Sequence, residues 1–131
     1  MSAEKNPFYI TTTLPYANAK PHIGHALEFV QADVIARWHR LSGEDVLLNV
    51  GTDENGLKMR QKAQEAGMSV QDFIAMNVQT FTDFFEKFDI HYDYFYRTSL
   101  EDHKAVAQEM RKKCQERGDI YKKNYTGLYC V

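Results

Sequence analysis

The sequence predicts an α/β fold built around a parallel sheet. Short β-branched and aromatic runs alternate with amphipathic helical stretches along its 131 residues. A strand–helix–strand order near the start makes the two strands parallel when they share a sheet, with a right-handed crossover. The second run, Asp45 to Val50, is nearly continuous in apolar residues, as in a strand covered on both faces.

The elements follow in order. Phe8 to Thr13 is β-branched and aromatic, a short strand that starts after Pro7. Residues 14–21 hold two prolines and an asparagine and read as a loop. A helix is expected from near His22. Ile23, Leu27, Val30, Val34, Trp38 and Leu41 recur at helical spacing as an apolar stripe, and Gly43 follows as a stop. After the Asp45–Val50 strand come a loop at 51–56 and a helix from about Leu57 to Ala66, closed by Gly67. Ser69 with Asp72 predicts a capped helix carrying Val70, Phe73, Ile74, Phe81, Phe84, Phe85 and Phe88 toward a core. Tyr92 to Tyr96 reads as a strand. Ser99 with Asp102 repeats the capping pattern and opens a helix to about Arg117. Cys114, near the apolar side of that helix, is expected to be buried. The alternation in residues 120–131 predicts one or two strands with a turn near Gly127. Ending in Leu-Tyr-Cys-Val suggests the front part of a longer protein.

Composition narrows the classes. Sixteen basic and eighteen acidic residues leave a formal charge of −2, which supplies no general field for nucleic acid. Any contact with RNA is expected to be local. No apolar run approaches a membrane span, the N-terminus carries no signal-peptide core, and two cysteines make no disulfide framework, so a cytoplasmic setting is expected.

The chemistry concentrates in Pro21-His-Ile-Gly-His25, at the junction of loop and helix. First-turn N–H groups lack internal partners and face the positive end of the helix dipole, which suits an anion. Pro21 suits a helix start, and Gly24 lets a flat ligand approach the backbone. Three readings are open on spacing alone: donors to a phosphate, metal ligands, or a cap with a surface histidine beside it. The metal reading lacks further ligands at sensible spacing. Asp53 in Gly-Thr-Asp-Glu-Asn-Gly would otherwise be a turn residue. The aromatics of residues 84–97 have helical spacing and little interleaved positive charge, which favours core packing over base stacking.

The histidine pair with its lead-in, Leu14-Pro-Tyr-Ala-Asn18, resembles the HIGH signature of class I aminoacyl-tRNA synthetases. The surrounding stretch from Thr11 through Gly56 is most similar to the methionyl-tRNA synthetase family, and the similarity extends to the C-terminus. The resemblance implies the first half of a Rossmann-like catalytic domain over residues 1–118 and the beginning of a connective, zinc-knuckle-type insertion over 119–131. It implies ATP-dependent activation of methionine as methionyl-adenylate, followed by transfer to a methionine tRNA. His22 and His25 would act on the phosphates, and Asn18 and Gly24 would lie on the ATP side. Thr13, Leu14 and Tyr16 would line the methionine pocket, and Asp53 would hold the substrate ammonium. ATP with Mg2+ is the expected co-substrate, and Zn2+ belongs to the longer protein. Cys130 would be a first zinc ligand whose partners follow the chain end.

Many members of the family carry histidine where this chain has Asn55, and alanine where it has Thr13. The second signature, KMSKS, is absent. The chain alone is therefore expected to be inactive or very weakly active and prone to associate. Another HIGH-type nucleotidyltransferase and a non-catalytic nucleotide- or RNA-binding module derived from a synthetase are the competing functions.

Overall fold

The computed structural model describes residues 6–127. Residues 6–99 form one contact unit, and residues 100–127 belong to a second. In the first, strand β1 (Pro7–Thr11) leads through a loop to helix α1 (Ile23–Leu41) and strand β2 (Asp45–Thr52). Helices α2 (Leu57–Glu65) and α3 (Val70–Lys87) follow, then strand β3 (Tyr94–Arg97). The sheet order is β1-β2-β3, and both pairings are parallel, with Phe8 beside Val46, Ile10 beside Leu48, and Val50 beside Phe95. The second unit holds helix α4 (Glu101–Glu116).

The core lies between the sheet and helices α1 and α3. Leu48 and Val50 meet Phe29, Ala32 and Ala36 of α1 and Phe81 and Phe85 of α3, all buried. The Phe29 and Phe85 rings meet edge to face with centroids 4.8 Å apart, a favoured aromatic geometry. A smaller cluster joins Ala17 of the loop to Met59, Ile74 and Val78 and so fixes the loop against α2 and α3. Phe84, Tyr92 and Phe95 pack on the main core, in line with the packing role expected for this aromatic stretch.

Most buried polar side chains in this unit are paired, Arg40 Nη1 being an exception. The buried Asp33 carboxylate accepts from Arg37 Nε at 2.7 Å and from the His91 N–H at 3.1 Å. Asp93 accepts from the Leu48 N–H and from Arg40 Nη2, each at 2.7 Å. These carboxylates tie the segment leading into β3 to the end of α1 and to β2. Ser69 caps α3, accepting from the Asp72 N–H at 3.1 Å as its spacing predicted. Gly43 has φ +87°, the left-handed conformation that ends α1 without a Cβ penalty.

Five sequence expectations are corrected. The large apolar stripe of α1 does not face the core: Ile23, Leu27, Val34, Trp38 and Leu41 are exposed, and small residues plus Phe29 face the sheet instead. Alanines let the helix axis approach the strands closely, which turns the larger side chains outward. β2 is not sealed on both faces. Its helix-side residues Leu48 and Val50 are fully buried, whereas Leu47 and Asn49 on the opposite face stay partly accessible beside the exposed Tyr9 and Tyr94. Ser99 does not cap α4. The N-cap is Leu100, with no side-chain bond, because the Ser99 hydroxyl is bonded to Glu54. α4 has no buried residue, so Cys114 is half-buried at most. Residues 120–127 form no strand, and the remainder of that expected tail lies outside the described residues.

Gly51 has a role that composition does not reveal. A Cβ there would fall 1.8 Å from the Tyr96 carbonyl oxygen, a backbone atom that cannot swing away. Gly51→Ala is expected to force β2 and β3 apart and cost about 1–3 kcal/mol, read as a lower urea midpoint; an unchanged midpoint would refute the close approach. The exposed α1 stripe leads to a second expectation. The 131-residue chain should self-associate in sedimentation, and Leu27→Glu with Val34→Glu should shift it toward monomer.

Candidate active site

The loop between β1 and α1 lies along the carboxyl end of the sheet and is bonded to it. Thr12 N–H donates to the Asn49 carbonyl at 3.2 Å. Farther along, Asp53 N–H donates to the Pro15 carbonyl at 2.9 Å, and Ala17 N–H donates to the Asp53 carbonyl at 3.0 Å. Tyr16 and Asp53 thus pair as an isolated parallel bridge just beyond the named strands. This is why Leu14 and Tyr16 stand beside Asp53 although nearly forty residues separate them. Lys62 Nζ donates to the Asn18 carbonyl at 3.1 Å and holds the far end of the loop to α2.

At the helix start the two histidines do more than follow one another. His22 is the N-cap, with extended backbone, and its Nδ1 accepts from the Gly24 N–H at 3.1 Å. His25 Nδ1 reaches back to accept from the His22 N–H, also at 3.1 Å. Together they form a reciprocal capping box built from imidazoles. The rings stack with centroids 3.8 Å apart and a 20° tilt. An accepting Nδ1 places the ring proton on Nε2, a tautomer assigned here from the hydrogen-bond network. Each ring therefore keeps an Nε2–H donor for a ligand. The capping and phosphate readings of this pair are compatible, since caps use one nitrogen and leave the other.

Gly24 gains a concrete reason for its size. A Cβ there would crowd the His22 ring at 3.0 Å, so a larger residue would press on the cap. Burial against Phe29 and Phe81 holds the His25 pKa below its ordinary 6.5, the neighbouring His22 lowers it further, and Glu28 opposes both. His25 is thus neutral at pH 7, as its accepting Nδ1 requires.

Glu28, one turn beyond His25, joins the two halves of the site. Its carboxylate accepts from the Thr13 N–H at 2.6 Å and from the Thr13 hydroxyl at 2.8 Å. Thr13 is therefore fastened to the histidine helix as well as to the sheet edge. A groove of about 480 Å³ opens beside the helix start, lined by Lys20, His22, Ala26, Asp83, Lys87 and Phe88 among others.

Asp53 is half-buried. Its Oδ1 accepts from the Asn55 N–H at 3.0 Å and from the Thr98 hydroxyl at 3.4 Å; among the described residues its side-chain bonds all go to that oxygen. Oδ2 receives none of these bonds. Next to it Glu54 has no exposed side-chain surface and accepts Arg97 Nε at 2.7 Å and Nη2 at 3.1 Å. Burial raises the Glu54 pKa, but bonds from Arg97, Ser99 and Thr52 together with the Arg97 charge outweigh it, so the net direction is downward. A carboxylate depressed in this way stabilises the fold above the ordinary carboxylate range and loses that contribution as pH falls through the lowered value.

The structure therefore brings Thr13, Leu14, Tyr16 and Asp53 together on adjoining backbone, and joins them through Glu28 to His22, Gly24 and His25. Asn18 lies on the same loop. Cys130 is outside the described residues, and among the described residues no three His, Cys, Asp or Glu side chains stand as a metal site. Sequence reasoning passed over Glu28, Glu54, Arg97 and Thr98. Glu28 has helical spacing from His25, a usable signal. The burial of Glu54 had none, because an acid in a glycine-bounded polar loop reads as solvent-facing.

A parallel sheet with a histidine-capped helix opening from its carboxyl edge is the architecture of a class I synthetase Rossmann-like fold. Comparison with known proteins makes the assignment narrower. A family model described as "tRNA synthetases class I (M)" matches residues 8–131, and the chain belongs to that methionyl-tRNA synthetase family. It is 44% identical over 127 residues to the methionine–tRNA ligase of Caldanaerobacter subterraneus subsp. tengcongensis, covering 97% of this chain and 20% of that protein. It is 45% identical to the Thermotoga maritima ligase, covering 95% of this chain and 20% of that protein. Mycobacterium tuberculosis methionyl-tRNA synthetase, solved in complex with methionyl-adenylate, superposes with a TM-score of 0.84 at 40% identity, covering 88% of this chain and 23% of that one. The chain spans a fifth to a quarter of the length of the curated relatives it matches.

The His25 environment sets a titration test. By NMR, His25 should titrate below 6.5, and Glu28→Gln should move the midpoint lower still, since the opposing charge is gone. With a depressed folded-state value, its stabilising contribution is present above the ordinary value and lost on acidification below it. A midpoint at or above 6.5 in the unaltered chain would contradict the neutral acceptor assignment.

Proposed function

We propose that this chain is the N-terminal part of the catalytic domain of a methionine–tRNA ligase, with residues 119–131 beginning its connective insertion. The observation that carries the reading is the imidazole capping box, with a half-buried acid tied to the loop leading into it, in a chain of this family. In the reaction, a methionine carboxylate oxygen attacks the α-phosphorus of ATP. The bond to the bridging oxygen breaks and pyrophosphate leaves, giving methionyl-adenylate. A terminal ribose hydroxyl of the tRNA then attacks the methionyl carbonyl, the anhydride bond to the phosphate breaks, and AMP leaves.

The residues suit these steps. Charge developing on non-bridging phosphate oxygens is stabilised best by donors already fixed in place. His22 and His25 offer Nε2–H groups whose orientation the caps hold, beside the positive end of the α1 dipole. The lowered pKa of His25 favours a neutral donor there, which releases an anion more readily than a full cation would. Gly24 and Asn18 belong to the ATP side, with ATP as its magnesium complex. Asp53 holds the methionine ammonium through Oδ2, a charge-assisted contact. Thr13, Leu14 and Tyr16 shape the pocket for a side chain without hydrogen-bonding handles, where selectivity rests on fit. Zinc has no place in these steps; Cys130 would bind it only with ligands from further chain. No helix among the described residues is long and apolar enough to cross a membrane.

The test is methionine-dependent ATP–pyrophosphate exchange in the intact enzyme containing this chain. His22→Ala should lower the exchange rate by about 10²–10³ while the affinity for ATP changes little. Exchange driven by another acceptor would point to a different nucleotidyltransferase. ATP binding without exchange in the unaltered enzyme would leave a non-catalytic module.

A further inference from the structure

Glu54 is the most deeply buried acid of the sheet edge, and none of the steps above uses it. Its side chain is wholly inaccessible, whereas Arg97, its ion-pair partner, is partly exposed. Besides the two Arg97 bonds, Glu54 Oε1 accepts the Thr52 hydroxyl at 2.8 Å, and Ser99 adds a further side-chain bond. One carboxylate thereby gathers the end of β2 and the segment that follows β3. Such a group is costly to bury and is tolerated only when fully bonded.

The connection to Asp53 runs through Thr98. The Thr98 N–H donates to the Thr52 carbonyl at 3.3 Å, which continues the strand pairing past its named end. The Glu54 N–H donates to the Thr98 hydroxyl at 2.8 Å and occupies an acceptor position on that oxygen. The hydroxyl proton is then free to point at Asp53 Oδ1, 3.4 Å away. With Asn55 holding the same oxygen, the Asp53 carboxylate is fixed on one side and presents Oδ2 on the other.

We propose that Glu54 is a positioning residue for substrate ammonium recognition: clamped to Arg97, it sets Thr98 so that Thr98 orients the Asp53 carboxylate. This rests on the reading of Asp53 as the ammonium partner. Glu54 touches no substrate, and Arg97 acts only by fixing Glu54. A carboxylate free to rotate about its Cβ–Cγ bond would meet the ammonium less often in the productive pose, which weakens methionine binding and leaves ATP binding alone.

The experiment is steady-state exchange kinetics on the intact enzyme with Glu54→Gln, Thr98→Val and Asp53→Asn, and the double variant Thr98→Val with Asp53→Asn. Thr98→Val leaves the buried ion pair untouched and removes only the hydroxyl that accepts the Glu54 N–H, so it tests the relay at a smaller cost to the fold than Glu54→Gln. Both Glu54→Gln and Thr98→Val should raise KM for methionine about tenfold, on the scale of losing a hydrogen bond to a charged group, with KM for ATP within twofold. Adding Thr98→Val to Asp53→Asn should cause no further rise, because the relay ends on the missing carboxylate. If Asp53→Asn alone weakens methionine binding while Glu54→Gln and Thr98→Val only lower the melting temperature, the inference fails and the ammonium reading stands. If Asp53→Asn leaves KM for methionine unchanged, the ammonium reading itself fails, and the inference with it.

Discussion

The backbone of Asp53 exchanges hydrogen bonds with Pro15 and Ala17, and the carboxyl edge of the sheet is arranged around that exchange. A strand end and a loop forty residues earlier are held in register without sharing a named strand. The loop cannot drift, because Ala17 is also buried with Met59, Ile74 and Val78. Its onward direction then delivers the chain to the start of α1, where the imidazoles take over the capping of the helix. Without that exchange, the acid and the histidines would belong to separate pieces of surface.

Much of this was legible in the residues. The alternation of runs placed three strands and four helices with errors of a few positions, since Pro7, Gly43, Gly67 and Ser69 punctuate the chain by local chemistry. The face of α1 was not legible. A row of large aliphatic residues looks like the buried side of a helix, but the small side of α1, with Ala32 and Ala36, is what meets the sheet. Hydrophobicity ranks residues by size as well as polarity, and here close approach outweighed size. Ser99 misled for a related reason. A serine three residues before an acid can cap a helix, yet the same hydroxyl was claimed by a buried carboxylate distant in sequence.

For the site, residue identity was more informative than surroundings. His22 and His25 stand out by type and spacing, and the resemblance to a synthetase signature gave them roles and drew out Asp53, which by itself reads as a turn residue. What spacing could not convey is how each is held. Glu28 grips Thr13 with both carboxylate oxygens, and this chain's threonine adds a hydroxyl bond to the backbone one. Glu54 and Arg97 meet only because β3 lies beside β2. Such supports are tertiary by nature, and local patterns are silent about them.

The imidazole capping box carries a consequence for how the helix start responds to torsion. Turning either ring by half a revolution about its Cβ–Cγ bond would put Cδ2 where the accepting Nδ1 sits and break a cap. The first turn of α1 therefore acts as a detent: the rotamer that presents a donor outward is the one that keeps the helix wound. Aim and winding are a single degree of freedom, so a ligand arriving at this edge meets rings already locked in the direction it needs.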